Sequence, residues 1–355
     1  VYFLLREYNN KLHLVAKSIK KNGGSIQLVK KLFHVSRRDG LITTITRIKF
    51  FKKKQFADII EHKEINKRLQ DQLQEIHSRF SKPKHISTFS EENQHTKISI
   101  LMPVYKVPVK FLDQAIKSVL HQIYKNWELC IVDDNSQSTE ISNLLLMYSE
   151  SDARIKISLE NKNSGISSAT NKALELATGE FIALLDNDDL LTNDALFWNI
   201  RAINEAPNGD IFYSDECKID ENSQPLEIFS KPDWSPLLMF NCMYIGHLGV
   251  YRRSLIDKIG GFRTVFDNAQ DYDLALRISE LARKVIHIER TLYGWRALST
   301  SAAAGGKPHA RKPNIAALQD TINRRDLNGN VLALPYANRV KRNMSQLKSL
   351  VSIII

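Results

Sequence analysis

The stretch LLDNDDLL, residues 184–191, sets three aspartates, Asp186, Asp188 and Asp189, within four positions between two apolar runs. A second acidic pair, Asp133 and Asp134, closes ELCIVDD, and Tyr105 follows Pro103 at the end of KISILMPVY. Crowded carboxylates repel one another unless a cation or protons neutralise them. For a carboxylate cluster that faces a nucleotide the suitable neutraliser is Mg2+ or Mn2+, which takes one or two carboxylates and completes its shell with phosphate oxygens and water. The chemistry on offer is thus the holding of a divalent ion on a pyrophosphate. Read locally, the same aspartates also suit a loop in which one of them, Asp189, caps the helix that follows. No GxxxxGK[ST] and no GxGxxG occurs in the chain, so a glycine-rich loop does not grip the phosphates.

The elements that would position these residues follow from periodicity. KISILMPVY is a short apolar run that ends in proline, which predicts a buried strand leading into a loop. Leu112, Ala115, Ile116, Val119 and Leu120 recur at helical spacing, and ELCIVDD, RIKISL and FIALLD read as further buried strands. Between the last two, Ile166, Ala169, Ala173, Leu174 and Ala177 form one face of a helix that Gly179 can end. Strands alternating with helices in this way predict an α/β fold with a mostly parallel sheet covered on both faces. In such sheets the ligand crevice lies beyond the carboxyl ends of the strands. Pro103 to Tyr105, Asp133 to Asn135 and Asp186 to Asp189 all fall at those ends.

The net charge of +11 is concentrated at one end: residues 1–97 hold 21 Lys and Arg against 9 Asp and Glu, while the rest of the chain is close to neutral. Cations there alternate with apolar residues, as in LVKKLFHVSRR and RIKFFKKKQF, a pattern that suits a solvated helical linker or an anionic membrane surface. No nucleic-acid motif accompanies the charge, so no specific nucleic acid is expected. The polar, aperiodic residues 81–97 read as a linker after a basic helical segment, residues 1–80. Cys130, Cys217 and Cys242 lie far apart with no CxxC spacing, which argues against a disulfide framework and a cysteine zinc site and for a reducing compartment. No apolar run reaches the ~18 residues of a membrane span.

Several motifs in order resemble the family 2 glycosyltransferases of the GT-A fold: ISILMPVY, IVDDNS, NSGISSATNKALELATGEFIALLDNDD, GVYRRSLIDKIGGF, AQDYDLALR and LYGWR, between residues 98 and about 300. The resemblance implies transfer of a sugar, with inversion, from a UDP-, GDP- or dTDP-sugar to a hydroxyl of a glycan or lipid-linked glycan in cell-surface polysaccharide synthesis. It implies a cytoplasmic enzyme, peripheral on the inner face of the membrane in one reading. By position, Pro103, Tyr105 and Asp134 would hold the nucleoside, with Asp134 accepting from the base. Asp186 and Asn187 would approach the ribose, and Asp188, last of D-x-D, would bind Mn2+ or Mg2+. Asp271, in a QD where ED is commoner, would be the general base. A helix N-terminus at Asp271 would depress its pKa and keep it ionised. A non-catalytic nucleotide-sugar binding module, or an adaptor driven by the basic segment, is the alternative from another class.

Residues 98–190 would form the nucleotide-sugar half and residues 205–300 the acceptor half. In the latter Asp215 and Glu216 end a strand, His247 follows Gly246, and Trp295 and Arg296 offer a ring for a sugar and a cation for phosphate. Residues 301–346 read as a lid or linker, STSAAAGGKPHARK, and a C-terminal helix. LKSLVSIII then repeats the pattern of HTKISILMP, so residues 347–355 are expected to open a second such domain, as in a fragment of a larger tandem bacterial polysaccharide glycosyltransferase.

Overall fold

The computed structural model describes residues 67–80, 95–298, 311–335 and 337–342. The basic stretches before residue 67, residues 81–94 of the linker, residues 299–310 of the lid segment and the closing LKSLVSIII lie outside the described residues. Helix α1 spans residues 67–80. Leu73 and Ile76 of this helix are buried with Leu190, Cys217 and Ile219, and Phe80 packs on the same cluster, while Leu69 stays exposed. The Arg79 guanidinium forks onto the Asp194 carboxylate at 2.8 to 3.2 Å. The end of this helix thereby packs into the same body as the main sheet.

From there the chain runs β1 (Ile98–Val104), α2 (Val109–Leu120), β2 (Trp127–Asp133), α3 (Thr139–Ser151), β3 (Ile155–Leu159), α4 (Ile166–Leu176) and β4 (Phe181–Leu184). After these come the two-residue β5 (Leu190–Leu191), α5 (Ala195–Glu205), β6 (Ile211–Ile219), β7 (Pro225–Phe229), α6 (Pro236–Met239), β8 (Gly249–Arg252), α7 (Arg253–Lys258), α8 (Gln270–Ser279) and β9 (Val285–Arg296). A helix, α9 (Arg311–Arg324), and a hairpin of β10 (Gly329–Ala333) with β11 (Asn338–Arg342) follow. The main sheet has the order β3-β2-β1-β4-β8-β6-β9-β5, with β7 on the edge of β6. The β3-β2-β1-β4 half is parallel, β8 is antiparallel to both its neighbours, and β6 and β9 are parallel.

Period-two alternation divides the core. Ile98, Ile100, Met102 and Val104 of β1 face a cluster with Leu112, Ile116 and Leu145 of α2 and α3, while Leu101 faces Ala169, Ala173 and Leu174 of α4 on the other side. Every residue of β2 is buried, as a parallel strand covered on both faces requires. No described helix is long and apolar enough to cross a membrane.

Candidate active site

The sheet delivers its chemistry where β1, β2 and β4 end. Pro103, Asp186, His247 and Asp271 line one cleft, whose wall is completed by Ile166, Thr170 and Phe262. Asp186 follows β4, His247 precedes β8, and Asp271 opens α8, so both halves of the sheet contribute. The Asp186 side chain is 45% exposed and lies 3.8 Å from Nε2 of His247.

The four residues of DNDD do different work. Asn187 donates from its amide to the carbonyl of Pro103 at 2.9 Å, which ties the loop to β1. Asp188 is half-buried, and its carbonyl accepts from Nε of Arg296 at 2.6 Å. Asp189 is 1% exposed. Its carboxylate accepts the Tyr293 hydroxyl at 2.6 Å and the Arg296 amide at 2.7 Å. The expectation that Asp189 caps a helix therefore fails: β5 comes next, and α5 starts only at Ala195. Burial, with Asp188 and Asp186 adding like charge, pushes the Asp189 carboxyl well above the ordinary range. Carboxylates at this density, with Asp186 and Asp188 reaching solvent, fit a divalent cation.

Asp271 is half-buried at the cleft wall. Burial raises its pKa, the neighbouring imidazole of His247 opposes the rise and Asp186 adds to it. The depression expected from the helix dipole is thus overridden by desolvation. His247 stacks on Tyr293 with ring centroids 4.7 Å apart, and its Nδ1 is buried without a hydrogen-bond partner. A buried ion pair holds the turn that carries it. Nζ of Lys231 lies 2.9 Å from Glu216 and donates to the carbonyls of Ile245 and His247, and the His247 amide donates to Glu216 at 3.2 Å. Gly246 sits here with φ of 30°, and a Cβ on it would meet Oε2 of Glu216 at 3.1 Å, so the turn needs glycine.

Among the nucleoside candidates, Tyr105 is 45% exposed, so its ring is a surface residue and not part of the core. Asp133 ties its own loop by accepting from the amide and hydroxyl of Ser136. Asp134 does the same for another loop: it is buried, and its two oxygens each accept an amide, from Ser164 and Gly165, at 2.9 Å. It fixes the entry to α4.

Three acceptor-side candidates make contacts inside the protein. Asp215 is buried, accepting from the Lys231 amide at 2.8 Å and facing Nε2 of His287 at 2.9 Å. Glu216 is the partner of Lys231, so neither carboxylate is presented to a sugar. Arg296 is fully buried: besides Asp188 it reaches the carbonyl of Asp220 at 2.9 Å and the Gln114 amide oxygen at 3.0 Å, and it stacks over Phe111. It is a strut of the acidic loop. Trp295 is partly buried against the core. The sequence reading missed Tyr293, whose hydroxyl accepts the Asp186 amide at 3.2 Å while donating to Asp189. It lies inside the quoted motif LYGWR. Lys231 gave no signal, since a lone lysine in FSKPDW reads as surface.

This mixed sheet, with an acidic loop after its fourth strand and a carboxylate at the head of α8, is the GT-A architecture of nucleotide-sugar transferases. The description "Glycosyl transferase family 2" matches residues 99–260. The putative colanic acid biosynthesis glycosyl transferase WcaA of Escherichia coli K12 is 34% identical over 206 residues, covering 54% of this chain and 72% of that protein. The O-antigen biosynthesis protein RfbC of Myxococcus xanthus is 32% identical over 247 residues, which are 69% of this chain and only 19% of RfbC. The chain belongs to the family 2 glycosyltransferases. In fold it is similar to S. aureus TarS 1-349, solved in complex with UDP-GlcNAc, with a TM-score of 0.52 at 18% identity over 64% of this chain and 66% of that one.

Proposed function

We propose that the chain moves a sugar from a nucleoside diphosphate donor to a hydroxyl of a glycan or lipid-linked glycan, with inversion, in the synthesis of a cell-surface polysaccharide. The observation that carries this reading is the meeting of Asp271, His247 and Asp186 in one cleft beside the acidic loop. Asp271 takes the proton of the acceptor hydroxyl as its oxygen bonds to the anomeric carbon, and the sugar–phosphate bond breaks with its electrons on the diphosphate. One base on the face opposite the leaving group gives inversion. Its raised pKa makes it a better proton acceptor than a solvated carboxylate. Tyr105 offers its exposed ring to the base of the donor, and Asp186 reaches towards the ribose. A divalent ion, Mn2+ or Mg2+, held by Asp188 would stabilise charge on the leaving diphosphate. The complex of TarS with UDP-GlcNAc supports a UDP-sugar as the first donor to try, and the printed names of WcaA and RfbC support a polysaccharide acceptor. The basic residues before α1 supply the attraction for an anionic membrane, which would place a cytoplasmic transferase beside a lipid-linked acceptor.

The test is release of free nucleotide from a panel of nucleotide-sugars, with Mn2+ and with excess chelator, by the chain and by Asp188→Ala. Turnover that needs the ion and falls away in the variant is expected. Full turnover in chelator refutes the metal assignment, and donor binding without turnover in the presence of every acceptor tried would make the chain a binding module.

A further inference from the structure

Outside the cleft, β9 and the loop after β7 bring together a histidine and two carboxylates whose geometry the transfer reaction leaves unexplained. One ligand atom each from Asp233, His287 and Glu289 lies within 4.8 Å of the others. The imidazole of His287 is held on three sides. Its face stacks on Tyr213 with centroids 4.8 Å apart and planes 12° apart. Its Nε2 is 2.9 Å from Oδ1 of Asp215, which is itself fixed by the Lys231 amide at 2.8 Å. Its Nδ1 points at Oδ1 of Asp233, 3.2 Å away.

The backbone that presents these groups is fixed as well. The carbonyl of Pro232 accepts the Tyr213 hydroxyl at 2.7 Å, and the Ser235 amide donates to the Tyr244 hydroxyl at 2.8 Å, so the segment carrying Asp233 is anchored on both sides. On β9 the pairing with β6 steps from Ser214 opposite Ile288 to Asp215 opposite Thr291, which leaves Glu289 and Arg290 in a bulge. Bulges re-aim side chains.

With the N–H of Nε2 given to buried Asp215, the Nδ1 lone pair faces the Asp233 carboxylate, and Glu289 brings a second carboxylate into the same 4.8 Å group. Without a positive charge between them this arrangement is repulsive. A proton on Nδ1 satisfies Asp233 alone, and Glu289 makes no hydrogen bond or ion pair among the described residues. A cation satisfies all three. Ligands about 2.0 to 2.2 Å from a tetrahedral ion stand roughly 3.4 Å apart, close to the Nδ1 to Asp233 separation, and the two exposed carboxylates can close the rest. The carboxylate behind the imidazole completes the arrangement usual for a metal-bound histidine, in which the second nitrogen donates to an acid that sets tautomer and ring orientation. One nitrogen with two oxygens, open to water, suits a borderline first-row ion and not Mg2+ or Ca2+, which take oxygen ligands.

We infer that Asp233, His287 and Glu289 form a surface site for a divalent transition-metal ion of the zinc class, oriented from behind by Asp215. Such an ion clips the loop after β7 to the bulge of β9.

The full chain, free of nucleotide, is titrated with Zn2+ against a chromophoric chelator of micromolar affinity. The wild type, Asp188→Asn and the pair Asp233→Asn with Glu289→Gln are compared, and the metal-free thermal melt checks that the paired variant folds, which the exposure of both side chains favours. Binding that survives in Asp188→Asn and weakens at least 10-fold in the paired variant is expected, together with a visible Co2+ absorption band lost in the same variant. Zinc held as tightly by the paired variant as by the wild type, or a wild type that takes no zinc from the chelator, overturns the inference.

Discussion

Glu128 lies early in β2, at the opposite end of the strands from the cleft, and Glu128→Gln separates fold stability from chemistry. The carboxylate is 3% exposed. It accepts the Ser99 hydroxyl at 2.6 Å and the Thr178 hydroxyl at 3.0 Å, takes the Thr178 amide as well, and stands 2.8 Å from the Lys156 ammonium. Burial alone would raise its pKa, but these donors outweigh burial and hold it at about 2 against an ordinary 4.5. At 1.36 kcal/mol per unit the difference makes the ionised carboxylate stabilising by about 3 kcal/mol. Because the folded pKa is the lower one, this contribution is complete above pH ~5 and is lost as pH falls towards ~2. Urea unfolding of both proteins should show a gap of about 3 kcal/mol at pH 7 that shrinks by more than half at pH 3, where the wild-type carboxylate has begun to protonate. Donor turnover at a temperature where the variant stays folded should be unchanged. A gap that is absent at neutral pH, or that keeps its size into acid, would refute the electrostatic account.

Asp271→Asn should leave nucleotide affinity nearly unchanged and lower turnover by roughly 10² to 10⁴, the span a general base contributes; lost donor binding in calorimetry would instead make Asp271 a binding residue. Since its carboxyl is raised above 3.8 and must be ionised to act, the acid limb of the turnover profile should lie above the ordinary carboxylate range and vanish in the variant. Tyr105→Ala should weaken binding of the free nucleoside diphosphate by about 1 kcal/mol, the scale of an aromatic contact, and unchanged affinity would remove Tyr105 from the donor site. The full chain should float with anionic vesicles at low salt and a chain beginning at residue 67 should not, because each Lys or Arg near the surface contributes about 1 kcal/mol; equal flotation of both would move the attraction elsewhere.

The parallel half of the sheet was legible because its strands are apolar runs separated by periodic helices, and each predicted strand from KISILMPVY to FIALLD has its counterpart among β1 to β4. The cleft residues Pro103, Asp186 and Asp271 were legible because strand ends and helix starts fix where they emerge. What sequence could not show was which polar groups are spent inside. Arg296, Asp215 and Glu216 look like ligands in a linear reading, yet their partners Asp188, His287 and Lys231 lie 108, 72 and 15 positions away along the chain. The same holds for α1, whose narrow stripe of Leu73 and Ile76 meets Leu190 and Ile219 only in three dimensions.

Tyr293 touches the acidic loop through Asp186 and Asp189 and the turn before β8 through the ring of His247. The acidic loop is for that reason not an interchangeable part. A DNDD segment transplanted from a relative to change the sugar would arrive without the hydroxyl that fixes its aspartates and without the guanidinium that holds its carbonyl. Exchange between family members should succeed when the end of β9 travels with the loop, and chimaeras that move one without the other should fold yet lose the register of donor and base.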